Sequence, residues 1–293
     1  MKQAVLWLFL ALLCFGLWRS SFSEFHGPLF GEPSGSISEE ARQALEQPFR
    51  FLGKGRQSAA FVSADGKWVL KFFKQSYFKI PFWASFVPNT RAKREKREAY
   101  YRSSYRIASQ FLGKETGIAY LHQGPSPELL PKIIAADRSG RNHTVDLNEL
   151  PFVLQRKAEP LFPALEALSP GPFGEALDQF VSLVASRLEL GIGDGDHEVE
   201  GNFGLLDGRV VQIDPGLLYL AAGPWEKEEI EYEWWSATHA LRKWLEKRHP
   251  EYLSRFDSAI ETNLRKDLPP YPTSPSPQID GLLRGQSQAV SDN

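Results

Sequence analysis

Gly193-Asp194-Gly195-Asp196-His197, then Gly201-Asn202-Phe203-Gly204, then Val210-Val211-Gln212-Ile213-Asp214-Pro215-Gly216: the reading of this chain turns on these three pieces. They predict a Gly/Asp loop, a second polar turn and a short strand that ends on a carboxylate. Carboxylates in a loop and at a strand end, with an Asn between them, are hard oxygen ligands suited to Mg2+, which takes one or two carboxylates and leaves other positions to phosphate oxygens. Asp and Asn also populate turns and caps with no metal at all. What precedes the stretch therefore decides between the two readings.

Upstream, Leu52-Gly53-Lys54-Gly55-Arg56-Gln57-Ser58 sits on a predicted hairpin turn. Glycines there let backbone N–H groups approach a phosphate, because no Cβ stands in the way. Taken alone this is an ordinary tight turn. Lys71 follows in Val69-Leu70-Lys71-Phe72-Phe73, a lysine on an otherwise apolar strand. If the alternation holds, it shares a face with Val69 and Phe73. There it must be paired or face a ligand, unless the strand is a solvent-facing edge. A long helical stretch without Gly or Pro, Arg91 to Leu112, carries Glu95 and Glu98 as candidate carboxylate partners for that ammonium.

In this order the Gly-rich turn, strand lysine, helix glutamate, loop Asp with downstream Asn, and strand-end Asp-x-Gly resemble the protein-kinase-like superfamily, over roughly Phe49 to Leu264. The chain is also similar to kinase-like proteins of unknown function from intracellular bacteria. The resemblance implies an α+β, two-lobed protein-kinase-like fold with a small β-rich N-lobe (about 48–154) and a larger helical C-lobe (about 155–267). It implies ATP and Mg2+ as ligands. Gly53, Gly55 and Ser58 would cover the nucleotide phosphates, and Lys71 would contact them with Glu98 or Glu95 as its partner. Phe152 to Lys157, with Gln155, would form the hinge strand beside the adenine. Asp196, or else Asp194, would take the catalytic-loop role, while Asn202 and Asp214 would hold the metal.

The sequence also departs from that pattern. Ser58 replaces the third glycine, Asp196 precedes Asn202 by six residues instead of five, no His-Arg-Asp is present, and Pro215 stands where Phe is common. An Ala-Pro-Glu-type segment that would anchor a peptide platform is missing after Gly216. These departures argue against a peptide acceptor, and transfer to a small molecule, or a pseudokinase or scaffold that binds a partner without transfer, stays open.

Composition sets the frame. Of 293 residues, 42% are apolar and 24% charged, the balance of a globular protein. A net charge of −2 argues against nucleic acid as a partner, since phosphate-backbone binding needs a large positive excess. The single cysteine, Cys14, excludes disulfides and Cys-based zinc sites from the folded part. Cys14 lies within an apolar run, residues 4–18, flanked by Lys2 and Arg19, which reads as a signal or membrane anchor. In length the run sits nearer a signal h-region than a full span, and it lacks a small-x-small cleavage site. An uncleaved anchor, a cleaved signal and a buried helix are all compatible with it. The expected layout is an N-terminal signal or anchor over 1–19, a linker and short helix over 20–47, the kinase-like domain over 48–267 and a disordered tail over 268–293.

Several elements are predicted locally. Ser38 caps a short helix through Gln47, and Asp65-Gly66 turns one strand into the next. Ile133 to Ala136 and Phe152 to Leu154 are short strands flanking a polar turn at Ser139-Gly140. Phe173 to Leu190 is a helix with Leu177, Phe180, Val181, Val184 and Leu188 on one stripe. A last helical region runs from about Glu226 to Leu264. The aromatic segment Tyr77, Phe78, Ile80, Phe82, Trp83 and Phe86, followed by Lys93, Arg94, Lys96 and Arg97, suits a membrane interface or a protein partner, or an insertion packed on the small lobe. The acidic stretch from Glu226 to Glu233 reads as an offset to that basic face. His197 is a weak candidate base, and Asn142-His143-Thr144 matches a glycosylation acceptor that nothing else supports.

Overall fold

The computed structural model describes residues 34–55, 57–74, 90–221 and 224–263, with the backbone alone along 90–99. The apolar run 4–18, the tail 268–293 and the aromatic segment from Tyr77 to Phe86 lie outside the described residues, as do the side chains of Glu95, Glu98 and the basic cluster. The chain is mixed α+β and divides into two compact units. One takes the described residues up to Thr90 together with Ile118–Lys157, and the other takes Arg91–Gly117 and the residues from Ala158 onward. The long helix expected near position 100 thus belongs with the second unit, and the short helix before residue 48 belongs with the first.

The first unit is built on a seven-stranded sheet. Its strands are β1 (Phe49–Lys54), β2 (Ser58–Ser63), β3 (Trp68–Phe73), β4 (Ile118–His122), β5 (Lys132–Ala136), β6 (Asn142–Asp146) and β7 (Phe152–Arg156), in the spatial order β4-β7-β3-β2-β1-β5-β6. All neighbours are antiparallel except β1 and β5. Gly66, at φ +73°, makes the β2–β3 turn at the expected Asp-Gly, where the Ser63 hydroxyl donates to Asp65 at 2.6 Å and accepts the Trp68 N–H at 2.9 Å. One face of the sheet holds the core. Phe61, Phe72 and Phe152 meet edge to face at 5.6 and 6.3 Å, and helix α1 (Glu39–Ala44) adds Ala41 and Ala44. The N-cap of α1 is Ser38, whose hydroxyl accepts the Ala41 N–H at 3.2 Å.

The second unit is helical with short strands. Its elements are α2 (Thr90–Phe111), α3 (Gly113–Thr116), β8 (Glu159–Pro160), α4 (Leu161–Glu166), α5 (Pro170–Glu189), β9 (Ile192–Asp194), α6 (Val199–Asn202), β10 (Phe203–Leu206), β11 (Arg209–Gln212), β12 (Leu218–Leu220), α7 (Lys227–Arg248) and α8 (Leu253–Asn263). The α5 stripe of Leu177, Phe180, Val181, Val184 and Leu188 is buried against Trp234, Leu241 and Leu245 of α7 and Phe256 and Ile260 of α8. Strands β10 and β11 form a hairpin whose two turn residues, Asp207 (φ 50°) and Gly208 (φ 76°), both lie in the left-handed region that a type I′ turn demands. A second ladder pairs β12 with β9. Among the described residues, no helix is long and apolar enough to cross a membrane.

Candidate functional site

In the first unit, register places the predicted residues on the sheet. Lys71 lies opposite Ala60 on β2 and Val153 on β7, and Gln155 lies opposite Val69 and Ile118. Since Leu70, Phe72 and Leu154 face the core, the two-residue period puts Lys71, Val69, Val153 and Gln155 together on the other face. Gln155 is buried there and Lys71 half-buried. Gly53 and Gly55 flank the end of β1, just past a bulge that interrupts the register between Phe51 and Gly53. The Gly55 N–H donates to the Ser58 carbonyl at 3.0 Å, closing the turn. Among the described atoms, none lies within 4 Å of where a Cβ would stand on either glycine, so the backbone can be approached closely there.

In the second unit, Asp194 is a buried carboxylate with several polar partners. Its Oδ2 accepts from the Arg187 guanidinium at 2.9 Å and the Gln212 amide at 2.6 Å, and its Oδ1 accepts the Asp196 N–H at 3.0 Å. The Asp194 N–H donates to Glu233 Oε2 at 3.0 Å; Glu233 Oε1 takes the Tyr219 hydroxyl at 2.8 Å, and Arg187 Nη2 stands 3.7 Å from Glu233. Arg187, Asp194 and Glu233 are all at least 97% buried by exposed area. Burial drives both carboxyls upward, with Arg187 opposing it, and Glu233 reaches about 7. Gly193 makes this packing possible, because a Cβ there would stand 2.3 Å from the Tyr219 ring. Asp194 is thus the hub of a structural network joining α5, α7, β9 and β11.

Asp196, two residues on, is only half-buried, and its Oδ1 accepts the Glu198 N–H at 3.3 Å. Its carbonyl accepts from the Asn202 side-chain amide at 3.4 Å. The Asn202 carbonyl in turn accepts the N–H groups of Ile213 and Asp214, at 2.7 and 3.3 Å. Asn202 therefore ties the backbone of the Asp196 loop to the backbone at the strand end, Ile213 and Asp214. His197, beside Asp196, packs edge-on against Tyr232 at 5.6 Å, with Nε2 buried and without a hydrogen-bond partner among the described residues. Burial lowers its pKa, so a neutral imidazole is favoured over the imidazolium a general acid would need.

Helix α2 holds the other side of Asp214. The Tyr105 hydroxyl donates to Asp214 Oδ1 at 3.1 Å, Ser104 Oγ bonds the Pro215 carbonyl and accepts the Leu218 N–H at 2.7 Å, and the Tyr100 hydroxyl donates to the Leu217 carbonyl at 3.0 Å. None of these three residues was among the candidates from sequence. Neither was Arg187, although a charge set among Val184, Leu188 and the rest of an apolar stripe was a signal that could have found it. Glu233 corrects the reading of the acidic stretch: Glu226, Glu228 and Glu229 are exposed, but Glu233 is buried beside Arg187.

Among the described residues no three His, Cys, Asp or Glu side chains group as a metal ion would require. Mg2+ needs few protein ligands, and Asp214 and Asn202 carry oxygens of the kind it takes. Asp214 keeps Oδ2, and Asn202, donating through Nδ2, keeps its amide oxygen.

No protein-family model matches the chain. No curated protein matches it either. Among solved structures, it is similar to a medium-resolution structure of the bifunctional kinase-methyltransferase WbdD, with a TM-score of 0.36 and 12% identity over 79% of this chain. The match covers 47% of that structure's chain, so this protein spans about half its length. At that likeness, functional assignment rests on this chain's own residues.

Proposed function

We propose that the chain is a kinase-like nucleotide-binding protein that transfers phosphate from ATP, with Mg2+, to an acceptor hydroxyl. The observation that carries this reading is the double link through Asn202, which joins Asp196 to Asp214. In this reading Gly53, Gly55 and Ser58 receive the phosphates, Lys71 adds a point charge to them, and Gln155 lies on the same face as Lys71. Asn202 and Asp214 would hold Mg2+, which neutralises charge on the transferring phosphate when bound. Asp196, the accessible member of the Asp194–Asp196 pair, would take the proton from the acceptor hydroxyl as its oxygen bonds to the terminal phosphorus and the bond to ADP breaks.

Thermal denaturation with and without ATP and Mg2+ tests the reading. Nucleotide should raise the melting temperature, and Mg2+ should raise it further. Lys71→Met should weaken the nucleotide effect in both conditions, whereas Asp214→Asn should remove mainly the Mg2+-dependent part. Asp196→Ala should abolish transfer with binding retained, because a base matters to chemistry more than to ground-state affinity. No nucleotide-dependent shift in the wild type would end the proposal. Binding without transfer to any acceptor would favour a pseudokinase.

A further inference from the structure

Asp214 sits on the five-residue loop between β11 and β12, Ile213 to Leu217, and α2 grips this loop and the start of β12 through three hydroxyls. Tyr100, Ser104 and Tyr105 lie at i, i+4 and i+5 on that helix and bond Leu217, Pro215 and Leu218, and Asp214 respectively. Of the three hydroxyls, that of Tyr105 is the one on the carboxylate itself. Tyr105 has no exposed area, and its ring stands edge-on to the buried Tyr101 at 5.1 Å. We propose that Tyr105 is a positioning residue for the Asp214 carboxylate, occupying Oδ1 so that Oδ2 is presented for the cation, with Ser104 holding the rest of the loop in register.

This role rests on the nucleotide–cation reading above and extends it to the groups that set the cation ligand's orientation. A carboxylate on a loop can rotate about its side-chain bonds, and a ligand must be held in a productive orientation by partners that are themselves locked. Tyr105 is locked, being enclosed on a helix, with only its hydroxyl directed at the loop. The backbone side is fixed as well, since the Asp214 N–H bonds the Asn202 carbonyl. A phenol on one carboxylate oxygen and a backbone anchor behind it leave one oxygen and little rotational freedom.

The full chain, its Tyr105→Phe and Ser104→Ala variants and Asp214→Asn would be titrated with MgCl2 in the presence of a non-hydrolysable ATP analogue. Nucleotide affinity would also be measured in EDTA. Tyr105→Phe keeps the ring and removes only the hydroxyl, so EDTA affinity should be unchanged while the half-saturating Mg2+ concentration rises roughly tenfold, the loss expected for one hydrogen bond to a charged group. Ser104→Ala should move it the same way by about threefold. Equal losses with and without Mg2+ would mean the hydroxyl merely supports packing, and would overturn the inference. An unchanged Mg2+ demand in Tyr105→Phe, with the wild type binding Mg2+-dependently, would overturn it while leaving the nucleotide–cation reading intact. If Tyr105→Phe fails to fold, Ser104→Ala decides alone, and an unchanged Mg2+ demand there has the same meaning. A wild type with no Mg2+-dependent binding would remove both.

Discussion

Glu233 is held by two opposed demands. It accepts hydrogen bonds from Tyr219 and the Asp194 backbone as a carboxylate would, yet it lies buried beside a second carboxylate with one guanidinium between them. Burial wins, and its pKa rises from the usual 4.5 to about 7. A folded-state value above the unfolded one means that the folded protein holds this proton more tightly. The contribution of Glu233 is then complete below about pH 4.5 and is lost as the pH rises through about 7. Thermal unfolding followed from pH 5 to pH 8 should show melting temperature falling with pH, and Glu233→Gln should flatten that slope. An identical slope in the variant would locate the dependence elsewhere. Arg187→Met leaves two buried carboxylates without their cation and should cost about 3–5 kcal/mol in urea unfolding. Sequence disclosed the polar loop but not this network beneath it, because Glu233 lies 39 positions from Asp194 amid glutamates that do face solvent.

At the scale of elements, close approach decides which residues are tolerated. Where β10 meets β8, a Cβ on Gly204 would stand 2.6 Å from the Glu159 carbonyl oxygen, which is backbone and cannot swing aside. Gly204→Ala should therefore destabilise by about 1–3 kcal/mol through overpacking, checked by denaturant unfolding, whereas Gly53→Ala, with open space around it, should not. The β5–β6 turn is a pH-sensitive element of the opposite sign. Burial tends to raise the Asp137 carboxyl, but hydrogen bonds from Ser139, His143 and the backbone of Ser139 and Arg141 outweigh it and hold the group far below the ordinary range. Its stabilisation is present above the ordinary carboxylate pKa and fades as pH falls through the lower folded value, so Asp137→Asn should lose stability at pH 7 and converge on the wild type in strong acid. Helix α5 was legible because its apolar residues recur with a clear period, and strands β5 and β7 because each is a short apolar run beside a polar turn. Strand β6 was not, since Asn142-His143-Thr144-Val145-Asp146 is largely polar and lies at the sheet's edge. Strand β4 was hidden by the turn-like Gly113 to Gly117 that leads into it.

Over the whole molecule, the chain order of the motifs was readable and the division of the units was not. Helix α2 lies with the second unit because Tyr100, Ser104 and Tyr105 bond residues more than a hundred positions later, and hydroxyls on a helix carry no local mark of such partners. The apolar run 4–18 remains the basis for expecting membrane association. Full-length protein should sediment with membranes, and a chain shortened to begin at residue 33 should stay in solution. Soluble full-length protein with an intact N-terminus would contradict an anchor.

Ser34, the first described residue, is pinned to the first unit. Its hydroxyl donates to the Gly124 carbonyl at 2.9 Å and accepts the Gln123 N–H at 3.2 Å, against His122 at the end of β4. If residues 4–18 sit in a bilayer, only residues 19–33 separate that pin from the surface. At about 3.3–3.6 Å per residue, such a leash reaches no farther than roughly 50 Å. A domain so tethered would search a thin shell of solution beside the bilayer, and its acceptors would be those that enter the shell: lipid headgroups, membrane proteins, or solutes concentrated there.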